Sequence, residues 1–127
     1  MITTIIDCTL TAESRPGQMT NETVRESTRE RLATNPPKDP HMRASAEQVL
    51  EPGYLQRWGR YSNGNRFTML RVDHEGQRLE ISVVGDKMVD RAVELEPGAK
   101  LRITCELLGE EPYLRLRARR IAVMPTT

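Results

Sequence analysis

From Arg66 to Val84 the chain repeats with a period of two, and that period rules out a helix over most of this stretch. Arg66–Asp73 (RFTMLRVD) and Arg78–Val84 (RLEISVV) both alternate apolar and polar residues, as a strand with one buried face does. In the second run Leu79, Ile81 and Val83 share one side, and Arg78, Glu80 and Ser82 the other. His74-Glu75-Gly76-Gln77 supplies the turn between the runs. Ser62-Asn63-Gly64-Asn65 supplies the turn before them, and its Asn-Gly pair suits the φ > 0 positions of a type I′ hairpin. Tyr54–Tyr61 (YLQRWGRY) then reads as a preceding strand.

The period changes at Lys87–Leu95 (KMVDRAVEL), where Met88, Ala92 and Leu95 fall on one helical face. After the turn Glu96–Ala99, Lys100–Leu107 (KLRITCEL) alternates again, with Leu101, Ile103, Cys105 and Leu107 expected inward. After a turn at Gly109–Pro112, Tyr113–Val123 (YLRLRARRIAV) puts Leu114, Leu116 and Ala118 on one face. The doubled Arg119-Arg120 breaks that alternation, and a bulge there lets Ile121 and Val123 face inward. Three strands, a short helix and two strands is the order of the OB-fold, a five-stranded Greek-key barrel. The expected class is all-β: an OB-like barrel over residues 53–124, with one short helix inside it.

The first 52 residues have a different texture. Ile2–Leu10 (ITTIIDCTL) is β-branched and reads as an additional N-terminal strand, residues 1–10. Residues 11–52 form a polar arm or linker with little to fill a core. Asn21–Leu32 has helical charge spacing and a cap at Thr20 or Asn21. Pro36, Pro37 and Pro40 exclude regular structure around them. Ala44–Leu50 reads as one or two helical turns capped by Ser45 and ended by Pro52-Gly53.

Several functions are excluded as expectations. His41 and His74 lack partners at metal-ligand spacing, so no metal or cofactor is expected. Val84-Gly85-Asp86-Lys87 is too short for a phosphate-cradling loop, and no catalytic constellation stands out, so the chain reads as a non-enzyme. Cys8 and Cys105 read as reduced, buried small hydrophobes rather than a disulfide framework. No signal peptide is expected, and no stretch approaches the roughly 20 apolar residues of a membrane span. A cytoplasmic protein follows. The net charge of +1 gives no global pull toward polyanions.

The run GRYSNGNRFTMLRVDHEGQRLEISVVGDKMVDRAVELEPGAKLRIT resembles the bacterial single-stranded-DNA-binding proteins and related OB-fold replication accessory proteins. The resemblance spans about residues 50–124 and lies in order and spacing. Leu95-Glu96-Pro97-Gly98-Ala99-Lys100-Leu101 fits the family's turn into the fourth strand. The long Thr11–Leu50 segment departs from the family pattern, as does the lack of an acidic C-terminal tail, which recruits partner proteins in that family. The resemblance implies non-catalytic binding of single-stranded DNA, or RNA, in replication or recombination.

The residue pattern offers a face for such binding. With Thr68, Leu70 and Val72 inward, Phe67, Met69 and Arg71 point out, joined by Arg78. Trp58 shares a face with Arg60, with Arg66 across the turn. In the last strand Tyr113, Arg115, Arg117 and Arg119 alternate outward. Rings stack on bases and guanidinium groups meet phosphates, which is the mixture a single strand needs. The opposite phase, with Phe67 and Met69 in the core, stays open. Trp58 can equally plug a barrel end, and the Arg stripe can be a solvated strand face. A rival function is an OB-like protein–protein adaptor or assembly subunit without nucleic-acid binding. An exposed β-branched strand invites association, so a homo-oligomer through Ile2–Leu10 and the 11–52 arm is expected in either case.

Overall fold

A computed structural model describes residues 2–125. Its elements are β1 (Thr3–Leu10), α1 (Asn21–Thr34), α2 (Pro40–Gln48), β2 (Gly59–Arg60), β3 (Arg66–His74), β4 (Gln77–Val84), α3 (Asp86–Val93), β5 (Lys100–Gly109) and β6 (Arg115–Val123). The strands run β1-β5-β6-β4-β3-β2, and pairing of β1 with β3 closes the sheet. Among the described residues only β4 and β6 pair in parallel, with Ile81 beside Leu116 and Ser82 beside Arg117. The result is a closed five-stranded barrel of β1, β3, β4, β5 and β6 with one extra short strand. The all-β, OB-like expectation therefore stands, with a different assignment of its strands.

The first barrel strand is β1, not Tyr54–Tyr61. Its alternate residues Ile6, Cys8 and Leu10 enter the core, and it pairs with β5 from Thr3↔Glu106 to Thr9↔Lys100. The extra strand is instead the two-residue β2. Tyr54–Tyr61 lacks an inward apolar row: Tyr54 and Tyr61 are exposed and Leu55 and Trp58 only half-buried. The polar arm is thus an insertion between the first two long barrel strands.

Leu70, Val72, Ile81, Val83, Leu101, Ile103 and Cys105 fill the barrel. The helix α3 closes one end with Val89 and Ala92, its two buried residues. Burial pushes the thiol pKa of both Cys8 and Cys105 up to about 11, so both stay neutral and apolar in character at neutral pH. The bulge in β6 is present: Thr104 faces Arg120 and Cys105 faces Ala118, which leaves Arg119 unopposed. Ile121 turns inward as expected, whereas Val123 is exposed, although its partner Leu101 is in the core. Leu114 precedes the strand and is exposed too.

Positive φ at both central turn residues falls at Glu75-Gly76 (φ 53 and 81), not at Asn63-Gly64, where only Gly64 is positive. In the longer β2–β3 loop the Tyr61 N–H donates to the Asn65 carbonyl and the Gly64 N–H to the Tyr61 carbonyl, while the Asn65 N–H donates to Asn63 Oδ1. In the arm, Thr20 caps α1 by accepting from the Thr23 N–H. Pro40 does not exclude structure. It opens α2 with Asp39 as the cap, because a first-turn N–H needs no intrahelical partner and proline lacks one. Neither Ser45 nor Pro52-Gly53 bounds this helix. It buries no residue, so the arm's outer half rests mainly on α1.

Candidate nucleic-acid interface

The β3–β4 hairpin sets the outward face. Register places Phe67 opposite Val84, Met69 opposite Ser82 and Arg71 opposite Glu80. Thr68, Leu70 and Val72 are buried, which resolves the phase of β3 in favour of Phe67 and Met69 facing out. The β4–β6 pairing then sets Arg117 beside Ser82. One patch therefore runs from the β2–β3 loop across Met69 to β6.

At its first end the rings cluster. Tyr61 and Phe67 stack with centroids 4.2 Å apart and planes 15° from parallel. Phe67 can lie there because Gly59 faces it across the β2–β3 pair. A Cβ on Gly59 would meet the Phe67 ring carbons at 3.0 Å. The Trp58 ring is not free: the Arg66 guanidinium lies 4.2 Å from its centroid and that of Arg60 lies 5.5 Å away. Arg66 is also held by Asp90 at 2.9 Å, with Asp86 at 3.8 Å. Trp58 itself packs against the barrel core. The open ring of this cluster is Tyr61, which the sequence reading left out of the site. Its signal was its place two residues past Gly59, the partner of Phe67, which sets it diagonally across the hairpin from that ring.

At the other end lies a groove of about 580 Å³ on the β3–β4 surface beneath the β5–β6 loop. Met69, Arg78, Ser82, Tyr113 and Arg115 are among its lining. Tyr113 is two-thirds exposed, and Leu108 and Leu114 beside it are also exposed. Leu108 lies beyond the alternating run Lys100–Leu107, whereas Leu114, expected on one face with Leu116 and Ala118, precedes β6 and faces water instead. Apolar side chains left in water around a basic groove fit a ligand with flat apolar faces and negative charge.

Two residues depart from the outward stripe. Arg71 is 9 % exposed. The start of the arm lies over it, and its guanidinium donates to the Gly17 carbonyl. Arg119 lies 3.6 Å from Glu106, and Glu106 also stands opposite Arg117 across the β5–β6 pair. An acid on the neighbouring strand thus interrupts a stripe that looks uninterrupted within β6. Trp58, Arg60, Arg66 and Phe67 come together at one end of the patch, and Met69, Arg78, Tyr113 and Arg115 at the other, with Arg117 between.

Among the described residues no group of three or more His, Cys, Asp or Glu is placed to hold a metal ion. No helix among them is long and apolar enough to cross a membrane.

The fold and this face define a closed five-stranded β-barrel of OB-like order with a ring-and-arginine patch on one side. No family model matches the chain, and no curated protein matches it by sequence. Among solved structures, the protein PriB from Ralstonia solanacearum is similar in shape, with a TM-score of 0.54 over 97 % of each chain at 10 % identity. At that identity the likeness speaks to the fold alone.

Proposed function

We propose that this barrel binds single-stranded nucleic acid, DNA in the first instance, as a non-catalytic accessory factor of replication or recombination in the cytoplasm. The observation that carries the reading is the continuous outer patch. It holds the Tyr61–Phe67 stack, exposed Tyr113, and Arg115 and Arg117 around the Met69 groove. Stacking on such rings tolerates any base, and the arginines supply a salt-dependent contribution. Duplex of equal length binds less well, because paired and stacked bases offer no free face.

The test is a titration with oligo-dT at several salt concentrations, followed by Trp58 fluorescence and by mobility shift. Binding that weakens with salt is expected. Arg115→Ala flattens the logarithmic salt slope by about 0.7, the loss of one single-strand phosphate contact. No quenching and no shift at low salt would reject the reading.

A second reading has its own observation. Among the described residues, the outer edge of β1 has a strand partner only at Thr9 and Leu10, and Ile2 and Ile5 are about two-thirds exposed. Such an edge suits pairing with a second copy of this chain, with the arm crossing to the neighbour. The barrel would then be a homo-oligomer, and in the rival form an assembly subunit that binds no nucleic acid. Light scattering at micromolar concentration is expected to give a dimer or larger mass. A clean monomer mass rejects the association.

A further inference from the structure

A buried arginine that is only partly satisfied lies between the arm and the barrel. Arg71 points out from β3 but is roofed by the arm. One end of its guanidinium donates to the Gly17 carbonyl, while Nη1 has no partner among the described residues. Glu80, across the strand pair, stands 3.9 Å from Nε, too far for a hydrogen bond, and is itself half exposed. Burial lowers the pKa of Arg71 from the usual arginine value, Glu80 opposes that shift and nearby Arg15 adds to it. Arginine remains charged even so. A charge out of water with an idle donor is costly unless an anion meets it.

The surroundings suit an anion. A cleft of about 340 Å³ opens beside Arg71, with Thr11, Thr20, Thr23 and Arg78 in its wall. A second cleft of about 450 Å³ shares Thr11, Thr20, Thr23 and Arg78 and continues along the first turn of α1. The 14-residue α1 thus directs its N-terminus at the same space. A helix start carries partial positive charge and amide N–H groups without intrahelical partners. Thr20 takes only that of Thr23. Of the acids in the two clefts, Glu80 and Glu22 are more than half exposed, while Glu13 accepts from the Asn21 side-chain amide at 2.7 Å and lies 3.9 Å from both Arg25 and Arg57, which offset its charge.

We propose that this cleft is a phosphate site, in which Arg71 and Arg78 hold a phosphate group at the N-terminus of α1. The phosphate would replace the Gly17 carbonyl on Arg71, so the strap Gly17–Met19 shifts as the site fills. The site deepens the single-strand reading, on which the choice of a backbone phosphate over a free one rests. A strand lying in the Met69 groove would reach it directly, since Arg78 lines both spaces. The arm would then fasten onto the strand's backbone while the patch takes the bases.

The experiment uses the full chain and two probes, inorganic phosphate and oligo-dT, with amide NMR shifts of Asn21, Glu22 and Thr23 as the readout. Millimolar phosphate is expected to shift these amides in the wild type, and Arg78→Gln to reduce the apparent affinity about tenfold. Arg78 is exposed, so that variant folds. Arg71→Met tests the buried partner and is expected to abolish the shifts. If it fails to fold, Arg78→Gln decides. Oligo-dT is expected to move the same amides and to quench Trp58. If phosphate moves them and oligo-dT quenches Trp58 without moving them, the phosphate site stands and its ligand is free phosphate. If phosphate moves them and oligo-dT does neither, the site stands and the single-strand reading falls. Absence of shifts with both probes, or shifts unchanged in Arg78→Gln, overturns the site.

Discussion

Replacing Ile81 with Asp unfolds the protein. Ile81 is fully buried, faces Leu70 on β3 and lies beside Leu116 on β6. It therefore sits where the antiparallel half of the barrel meets the parallel seam. An aspartate there finds apolar neighbours on both strands. An unpaired carboxylate in such a place costs several kcal/mol or takes up a proton, and the lost packing adds about 2–5 kcal/mol. Total stability of a domain this size is about 5–15 kcal/mol. Thermal or urea unfolding followed by circular dichroism measures the loss. Ile81→Val, which keeps shape and apolarity, costs only about 1 kcal/mol. A cooperative transition for Ile81→Asp within about 1 kcal/mol of the wild type would contradict the place given to this residue.

Trp58→Ala weakens oligo-dT binding by about 1–3 kcal/mol and leaves the salt slope almost unchanged. The reason is division of labour, since a ring gives stacking and releases no counterions. The structure adds a complication that the measurement can resolve. Trp58 packs against the core and carries Arg66 over its face, so its removal also lowers stability. Binding is therefore measured well below the melting temperature of the variant. If Trp58 acts only in packing, stability falls while affinity at that temperature does not. Arg66 is held by Asp90 as well as by the Trp58 ring, and an unchanged salt slope in the variant would show that no phosphate contact is lost with the ring. Tyr61→Ala is the companion: its half-exposed ring stacks on Phe67, and its loss weakens binding with little effect on stability.

The barrel was legible because strand periodicity is local. The runs Arg66–Asp73, Arg78–Val84 and Lys100–Leu107 each declare their buried side, and the change of period at Lys87–Leu95 declares α3. Even the bulge could be read, since doubled Arg119-Arg120 cannot continue an alternation. What could not be read was partnership across the chain. Nothing within Thr3–Leu10 says that its partner is Lys100–Gly109, so that strand looked like an appendage. Nothing within Tyr113–Val123 reveals that Glu106 stands opposite Arg117. The same blindness hid the covering of Arg71, because its roof is Gly17 and its sequence neighbours are ordinary strand residues. For the candidate site, the residue types were visible along the chain, but which of them share a surface depended on register between strands.

The pairing of β1 with β5 sets an order of assembly. Thr3 faces Glu106, so β1 waits for a partner made about a hundred residues later, several seconds at ordinary translation rates. Until then Ile6, Cys8 and Leu10 have only the short contact of Thr9 and Leu10 with β3 to shelter them. Closing so long a loop costs entropy before any hydrophobic gain is returned, which slows the final step. A nascent or truncated chain that ends before β5 therefore carries a sticky, β-branched strand without its main partner. It is a natural client for a holdase and a ready seed for aggregation.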